Sequence, residues 1–335
     1  MNRWSGGRLL LTVAGCAAGW AIVALACLVV GSTGEIGWPA AGVLRIRREY
    51  VLLASLVGAA LASAGVAYQA ILRNPLADPY LLGASSGAML AAYLWQFPAM
   101  LGALALGEQV FAFAGALGAV GVVFAIASRG GRLEPITLLL VGVIVNAVNG
   151  SVFLLINAIV KDPATPGGPL MFLVGGLQTN LRPSQIYSAA VIIAGGWLVL
   201  LYIAGQLNVA TLGEGEAAAL GVRIHPLRWI ALITATLVTA AAVAISGPIG
   251  FIGLVCPHLG RLIVGNDQRK LLPLATALGA ILLCLADAAS RWLARESAAG
   301  TALPVGVLTG LLGGPFFLLL LWRNARSLAT TEGAR

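Results

Sequence analysis

Apolar runs of about 20 residues recur along the whole chain, separated by short clusters of glycine, proline and charge. Wound as a helix at 1.5 Å per residue, a run of roughly 20 residues covers a hydrocarbon core about 30 Å thick. The pattern predicts ten helices, beginning near Leu9, Val51, Tyr80, Gln109, Ile136, Ile186, Trp229, Ile249, Leu271 and Val305. The eighth, Ile249 to about Val264, is short and contains Pro257, so a broken or partly re-entrant segment is expected there. The first, Leu9 to Gly31, follows Arg3 and Arg8 as a signal peptide would, but no clear small-residue cleavage site follows and further spans do. It reads as a retained helix, and nothing is left over for a soluble domain.

Composition agrees. Of 335 residues, 59% are hydrophobic and 10% charged, whereas a soluble domain carries about 25% charged residues. Glycine supplies 43 residues, near twice its usual share of about 7%, and in lipid small residues let helix backbones approach closely. An all-α polytopic bundle is implied. The four cysteines, Cys16, Cys27, Cys256 and Cys284, fall in apolar runs without metal-ligand spacing and read as small packing residues.

Ten spans place both termini on one side. With the termini in the cytoplasm, thirteen of the twenty basic residues lie inside, and Arg45, Arg47, Arg48, Lys161, Arg182, Arg291 and Arg295 lie outside. The positive-inside rule favours that topology. The net charge of +8 then needs no nucleic acid to explain it. Arg45, Arg47 and Arg48 run against the bias, and the cluster reads either as a face for an acidic partner or as interfacial snorkelling.

An ion-coupled carrier needs ionisable groups at membrane depth to bind its coupling ion. The spans are almost free of them; Asp287 and Arg291, four residues apart, form the main exception and read as an i,i+4 pair. Amides and hydroxyls remain: Gln69, Asn146, Asn149, Ser151 and Asn157. Asn146, Asn149 and Asn157 lie close to one face of the fifth helix. They suit either a neutral lining for a bulky solute or hydrogen bonds between helices. Catalysis looks absent. His225 and His258 sit beside prolines near predicted helix ends without a cysteine or carboxylate at ligand or triad spacing, and Lys161 and Lys270 follow no P-loop glycine frame. If ATP drives this protein, another chain must hydrolyse it.

The stretch "ILRNPLADPYLLG", Ile71 to Gly83, interrupts two apolar runs. Pro75 forces Asn74 to be extended and ends the second helix, while Asp78 is expected to cap the third helix with Pro79 in its first turn. Arg73 marks the cytoplasmic side.

Four ordered motifs carry a resemblance: "LVGAALASAGVAYQAILRNPLADPYLLGASSGA" from Leu56, "LNVATLGEGEAAALGV" from Leu207, "SGPIGFIGLVCPHLGRLIVGNDQRKLLPL" from Ser246 and "LPVGVLTGLLGGPFFLLLL" from Leu303. Across nearly all ten spans the chain resembles the permease subunits of the ABC importers for iron-siderophore complexes, haem and vitamin B12. The resemblance implies a vitamin B12 importer permease-like fold in the inner membrane, residues 1–335 forming one transmembrane domain with ten helices per subunit. It further implies a homodimer with one pathway on its axis, two ATPase subunits that use ATP and Mg on the cytoplasmic face, and a periplasmic binding protein docking outside. No cofactor, catalytic residue or metal site is expected on this chain.

The resemblance also implies roles for particular residues. The cytoplasmic loop at 206–228 would carry a coupling helix that fits a groove of the ATPase, through Leu212, Gly213, Glu214, Glu216, Ala218 and Gly221. Gly213 and Gly221 bracket an amphipathic turn with its carboxylates at the N-terminal end, although a plain linker helix would look the same. The loop after the second span implies Asn74 and Leu76 as a cytoplasmic gate, with Thr137 as a second constriction. The binding protein would dock on arginines beside the periplasmic segment at 159–185. Where the family opens its second span with Arg-Leu-Pro-Arg, this chain has "LRIRREYVLLA": Arg47 keeps the first position, Glu49 and Tyr50 replace the proline and second arginine, and a small shift brings Arg45 and Arg48 into play. Arg291 matches a second outer arginine. An iron chelate is the default cargo, with haem and cobalamin equally compatible; an ion-coupled secondary transporter of a bulky neutral solute is the alternative.

Overall fold

The structure is a computed structural model that describes residues 6–29, 37–95, 108–129, 132–133, 135–160, 174–177, 181–212, 214–296 and 303–332. The helices are α1 (Gly6–Val29), α2 (Ala41–Leu72), α3 (Ala84–Trp95), α4 (Glu108–Ala127), α5 (Pro135–Val160), α6 (Pro183–Ala210), α7 (Glu214–Ala219), α8 (Ile224–Ser246), α9 (Ile252–Val264), α10 (Gln268–Glu296) and α11 (Val305–Glu332). All but α7 overlap a predicted span, although α2 begins ten residues before the expected Val51 and so carries Arg45, Arg47 and Arg48 in its first turns. Seven are long and apolar enough to cross a membrane, while α9 and Val305–Leu319 of α11 are shorter apolar helices. A two-residue hairpin, Ser128–Arg129 with Arg132–Leu133, is the only strand pairing among the described residues.

The bundle is built around α2. It packs against α10, α8, α9, α6 and α1, and an unbroken buried stretch runs from Ala60 to Leu72. Lipid gives helices no hydrophobic reason to associate, so contact must come from close packing. The small residues of α2 permit it. A methyl group added at Gly58 would collide with the backbone of Gly279 in α10, and one added at Gly65 would collide with the Gly253 carbonyl in α9. Polar side chains cross-link what the glycines bring together: Tyr68 and Thr236 share a 2.6 Å hydrogen bond between α2 and α8. Trp20 Nε1 donates to Ser55 Oγ at 2.8 Å, and Trp197 Nε1 to Thr276 Oγ1 at 2.9 Å. Buried indole N–H groups without such partners would be costly in an apolar interior.

Contrary to the sequence expectation, α9 is not broken. Pro257 stands inside a continuous helix of 13 residues. A proline leaves the carbonyl four residues earlier without its N–H. Here that carbonyl belongs to Gly253, and Gln69 of α2 supplies the missing donor, its Nε2 lying 3.1 Å away. Gln69 Oε1 in turn accepts Arg261 of the same helix. One buried amide therefore repairs the helix and ties it to α2. A second correction concerns His258, expected near a helix end. It lies within α9, edge-on to Phe316 of α11 with ring centroids 5.7 Å apart. Cys27, Cys256 and Cys284 are buried, Cys16 is half-buried, and all four are free thiols.

The backbone contact at Gly65 yields a direct test. Gly65→Ala should destabilise the purified protein by about 1–3 kcal/mol, the usual cost of overpacking. Gly118→Ala, where a methyl group meets open space, should change stability by no more than about 0.5–1 kcal/mol and in the stabilising direction. Thermal unfolding in detergent compares the two; equal melting temperatures would rule out the close α2–α9 packing.

Candidate functional site

The segment that joins α2 to α3 is built by four local devices. Arg73 ends α2 in a left-handed conformation, φ 49° and ψ 33°, with its N–H bonded to the Gln69 carbonyl. Asn74 then folds an Asx-turn: its Oδ1 accepts the Leu76 N–H at 2.9 Å, and its carbonyl accepts the Ala77 N–H at 3.1 Å. Asp78 bends the chain again, its Oδ1 taking the Tyr80 N–H at 2.8 Å while its carbonyl takes Leu81 and Leu82. Finally Gly83, at φ +84°, releases the chain into α3. The predicted helix start at Tyr80 is thus four residues early. Asn74, Leu76 and Thr137 are all half-buried.

Asp78 does not cap α3. Its carboxylate is buried and also accepts the backbone N–H groups of Phe251 and Leu254, so the helix that it caps is α9. Burial pushes this loop carboxyl up to about 6, and the three backbone N–H bonds oppose that rise. Phe251, the residue before α9, has φ +69°, the second described non-glycine residue in the left-handed region. Its ring occupies the space that a side chain at Gly313 would need. Nothing local in "GPIGFIGL" announces a cap 173 residues away, and Asp78 was legible only as a capping residue without its partner.

The three asparagines of α5 all reach the segment from Tyr80 to Tyr93. Asn146 Nδ2 donates to the Tyr80 carbonyl at 2.7 Å, Asn149 Nδ2 to Ser86 Oγ at 2.9 Å, and Asn157 Oδ1 accepts the Tyr93 hydroxyl at 3.1 Å. They are half-buried, beside an apolar face of α5 on which Ile144, Val148, Leu155 and Ile159 are exposed. The amides therefore seam α5 to α3 along the edge of that face.

At the cytoplasmic end by the predicted topology, α6 runs to Ala210 and α8 begins at Ile224, so the connecting loop is 211–223, shorter than the expected 206–228. Hydropathy fades before these helices stop, because a helix continues wherever water can solvate its surface. Within the loop α7 covers Glu214–Ala219. The Val222 N–H bonds to the Ala217 carbonyl at 3.0 Å across Gly221 at φ +76°, a Schellman ending that only a residue tolerant of positive φ accepts cheaply. Ala217 is buried, Gly215 and Glu216 are exposed, and Leu212 and Leu220 present 56% and 62% of their surface on either side of the helix. Gly213 lies outside the described residues, as do the side chains of Glu214 and Ala218. Sequence reasoning missed two ties to this stem. Arg73 Nε donates to the Ala210 carbonyl at 2.9 Å. Asn208 donates to Asp267 Oδ1 at 2.8 Å and accepts the Gln268 N–H at 2.7 Å, at the join of α9 and α10.

At the opposite end the candidate docking arginines divide into two pairs. Arg47 is buried, and its guanidinium donates to the carbonyls of Leu28 and Val29 at 2.8 and 3.2 Å, the end of α1 where helix carbonyls lack partners. Arg291 is buried too, 2.8 Å from Asp287 as the spacing predicted, and its guanidinium lies 5.1 Å from the centre of the Tyr50 ring. Arg45 and Arg48 are exposed, Arg45 lying 3.5 Å from Glu49.

Comparison with known proteins accounts for this arrangement of helices. Residues 37–323 match the FecCD transport family. The chain is 40% identical over 287 residues to the cobalamin import system permease protein BtuC of Halobacterium salinarum, an alignment covering 84% of this chain and 74% of that one. It is 41% identical over 286 residues to the hemin transport system permease protein HmuU of Yersinia pestis, covering 84% and 83%. Among solved structures, a metal-chelate type ABC transporter in an inward-facing conformation superposes with a TM-score of 0.76 at 29% identity, over 94% of this chain and 99% of that one. A match that runs through ten helices in order, from α2's first turn to α11, makes this chain a member of the FecCD transport family: a multi-pass permease subunit of an ABC importer, which works with a separate ATPase and a binding protein and is not itself an enzyme.

Proposed function

We propose that this permease forms, with a second copy of itself in the inner membrane and both termini in the cytoplasm, the pathway for a metal chelate handed over by a periplasmic binding protein. An iron chelate is the first choice of cargo, ahead of haem and cobalamin. The observation that carries the reading is the cargo named in the relatives, cobalamin, hemin and metal chelates. Each is a bulky metal complex, and the spans give such a solute a nearly charge-free route, with Asn146, Asn149 and Asn157 at the edge of an exposed apolar face of α5. The importer reconstituted with its ATPase and binding protein should take up a ferric siderophore when ATP is supplied. Uptake of haem or cobalamin alone would reassign the cargo, and uptake on a proton gradient without the ATPase would remove the reading.

In this scheme Asn74, Leu76 and Thr137 form the cytoplasmic gate, and α7 is the coupling element. Support for the latter comes from the exposed Leu212 and Leu220, which flank α7 with apolar surface. Apolar surface on both sides of a short exposed helix suits seating in a groove of a partner chain. Replacing Ala218 or Glu214 by Trp should lower cargo moved per ATP hydrolysed about tenfold, a loss within the usual range of coupling free energies. Unchanged stoichiometry in both variants would count decisively against a coupling role.

The binding protein docks, on this reading, against Arg45 and Arg48, while Arg47 and Arg291 hold the platform beneath them. Exposure separates the two pairs: Arg47 and Arg291 are buried beneath the surface that an acidic partner can reach, whereas Arg45 and Arg48 are exposed on it. Arg45→Glu with Arg48→Glu should slow association with the binding protein by about an order of magnitude and flatten its dependence on salt. Surface plasmon resonance at several ionic strengths would reveal it; identical association rates would sink the assignment.

A further inference from the structure

Arg73 stands where two parts of the chain meet that lie 137 residues apart in sequence. It closes α2 in the left-handed region, a backbone state that an arginine keeps only when its surroundings over-determine it. Two bonds do so. Its N–H returns to the Gln69 carbonyl inside α2, and its Nε reaches the Ala210 carbonyl at 2.9 Å. Ala210 is the last residue of α6, where the final carbonyls have no partner within the helix, and α7 begins four residues later. The acceptor is thus the stem of α7 itself.

The other end of the same segment is fixed elsewhere. Asp78, buried, holds the first N–H groups of α9. The residues between form a strap with one anchor on the stem of α7 and one on α9. Asn74 and Leu76 ride on it, and the two hydrogen bonds within it, from the Leu76 N–H to Asn74 Oδ1 and from the Ala77 N–H to the Asn74 carbonyl, keep it one folded piece. When the stem shifts relative to α9, those two bonds favour turning of the strap as one piece over its straightening.

We propose that Arg73 is a positioning residue: through its bond to Ala210 it passes the displacement of α7 to the strap that carries Asn74 and Leu76. The proposal rests on the gate and coupling readings above. It differs from a purely structural role for Arg73, which would affect assembly or stability but not the movement of the strap when nucleotide binds.

The test uses the whole importer, with ATPase and binding protein, in lipid nanodiscs. A spin-labelled amino acid is placed in both copies at position 76, and the distance between the two labels is measured by double electron–electron resonance without nucleotide and with ATP trapped. In the otherwise unaltered importer that distance should change. In R73A the change should fall by at least about half, with cargo moved per ATP lowered about fivefold, a modest coupling loss. R73K, whose ammonium can donate to the same carbonyl, should recover most of both. If R73A does not assemble, R73M, of similar length but without a donor, takes its place in the same comparison. A full nucleotide-dependent change in R73A or R73M overturns the role of Arg73 and leaves the gate intact. Absence of any change in the unaltered importer overturns the gate reading itself.

Discussion

Backbone groups buried in lipid have no water to turn to, and the molecule depends on meeting that demand internally. Regular helices meet it by themselves; every break does not. The polar residues of this chain are few, and a large share of them stand where a helix ends or is interrupted. Arg47 covers the end of α1, Asp78 the start of α9, Gln69 the gap left by Pro257, and Arg73 the end of α6. Each works from a different segment than the helix it repairs. Repair and cross-linking are therefore the same act, and the bundle gains its tertiary bonds where its backbone would otherwise be orphaned.

Close approach of the helices makes such repairs possible. A side chain of three or four bonds reaches a neighbouring backbone only if the axes are near, and the glycine contacts of α2 with α9 and α10 supply that nearness. Gln69 illustrates the dependence: four residues before it in α2, on the same helical face, Gly65 lies against Gly253, the residue whose carbonyl Gln69 then serves. Packing and hydrogen bonding are coupled terms here. Filling either glycine would loosen the amide bond beside it.

The helices and their order were legible in the sequence, since hydropathy reports the solvent of a segment and ten apolar runs leave little freedom. So was the break after α2, because Pro75 acts locally. What sequence could not give was the partner of each polar residue. The expectation that Asp78 caps the nearest helix failed since the nearest N-terminus in space belongs to α9, brought there by the α2–α9 packing. Pro257 promised a broken helix because the sequence shows the missing donor and not the amide that replaces it. Among Arg45, Arg47 and Arg48, successive residues point about 100° apart around the helix, but only the end of α1 decides which of them turns inward. The α7 loop was found by its glycines and carboxylates, while its ties to Arg73 and Asn208 had no local signature at all.

These long-range repairs bear on how an importer of this kind can move. A bundle whose helices were held by side-chain packing alone could shear gradually, with small losses at many contacts. Here the ends of α1, α6 and α9 are each bonded to a particular side chain of another segment, and a hydrogen bond of this kind either holds or breaks over roughly an ångström. Motion is then confined to segments that lie between such bonds. The stretch from Arg73 to Asp78 is one, short, bent and anchored to two different helices. The loop from Thr211 to Arg223 is another, tethered by Asn208 and Arg73 at its entry and closed by the Gly221 turn at its exit. On the coupling proposed above, the shared anchor at Ala210 would let a partner that touches only one of these pieces act on the other.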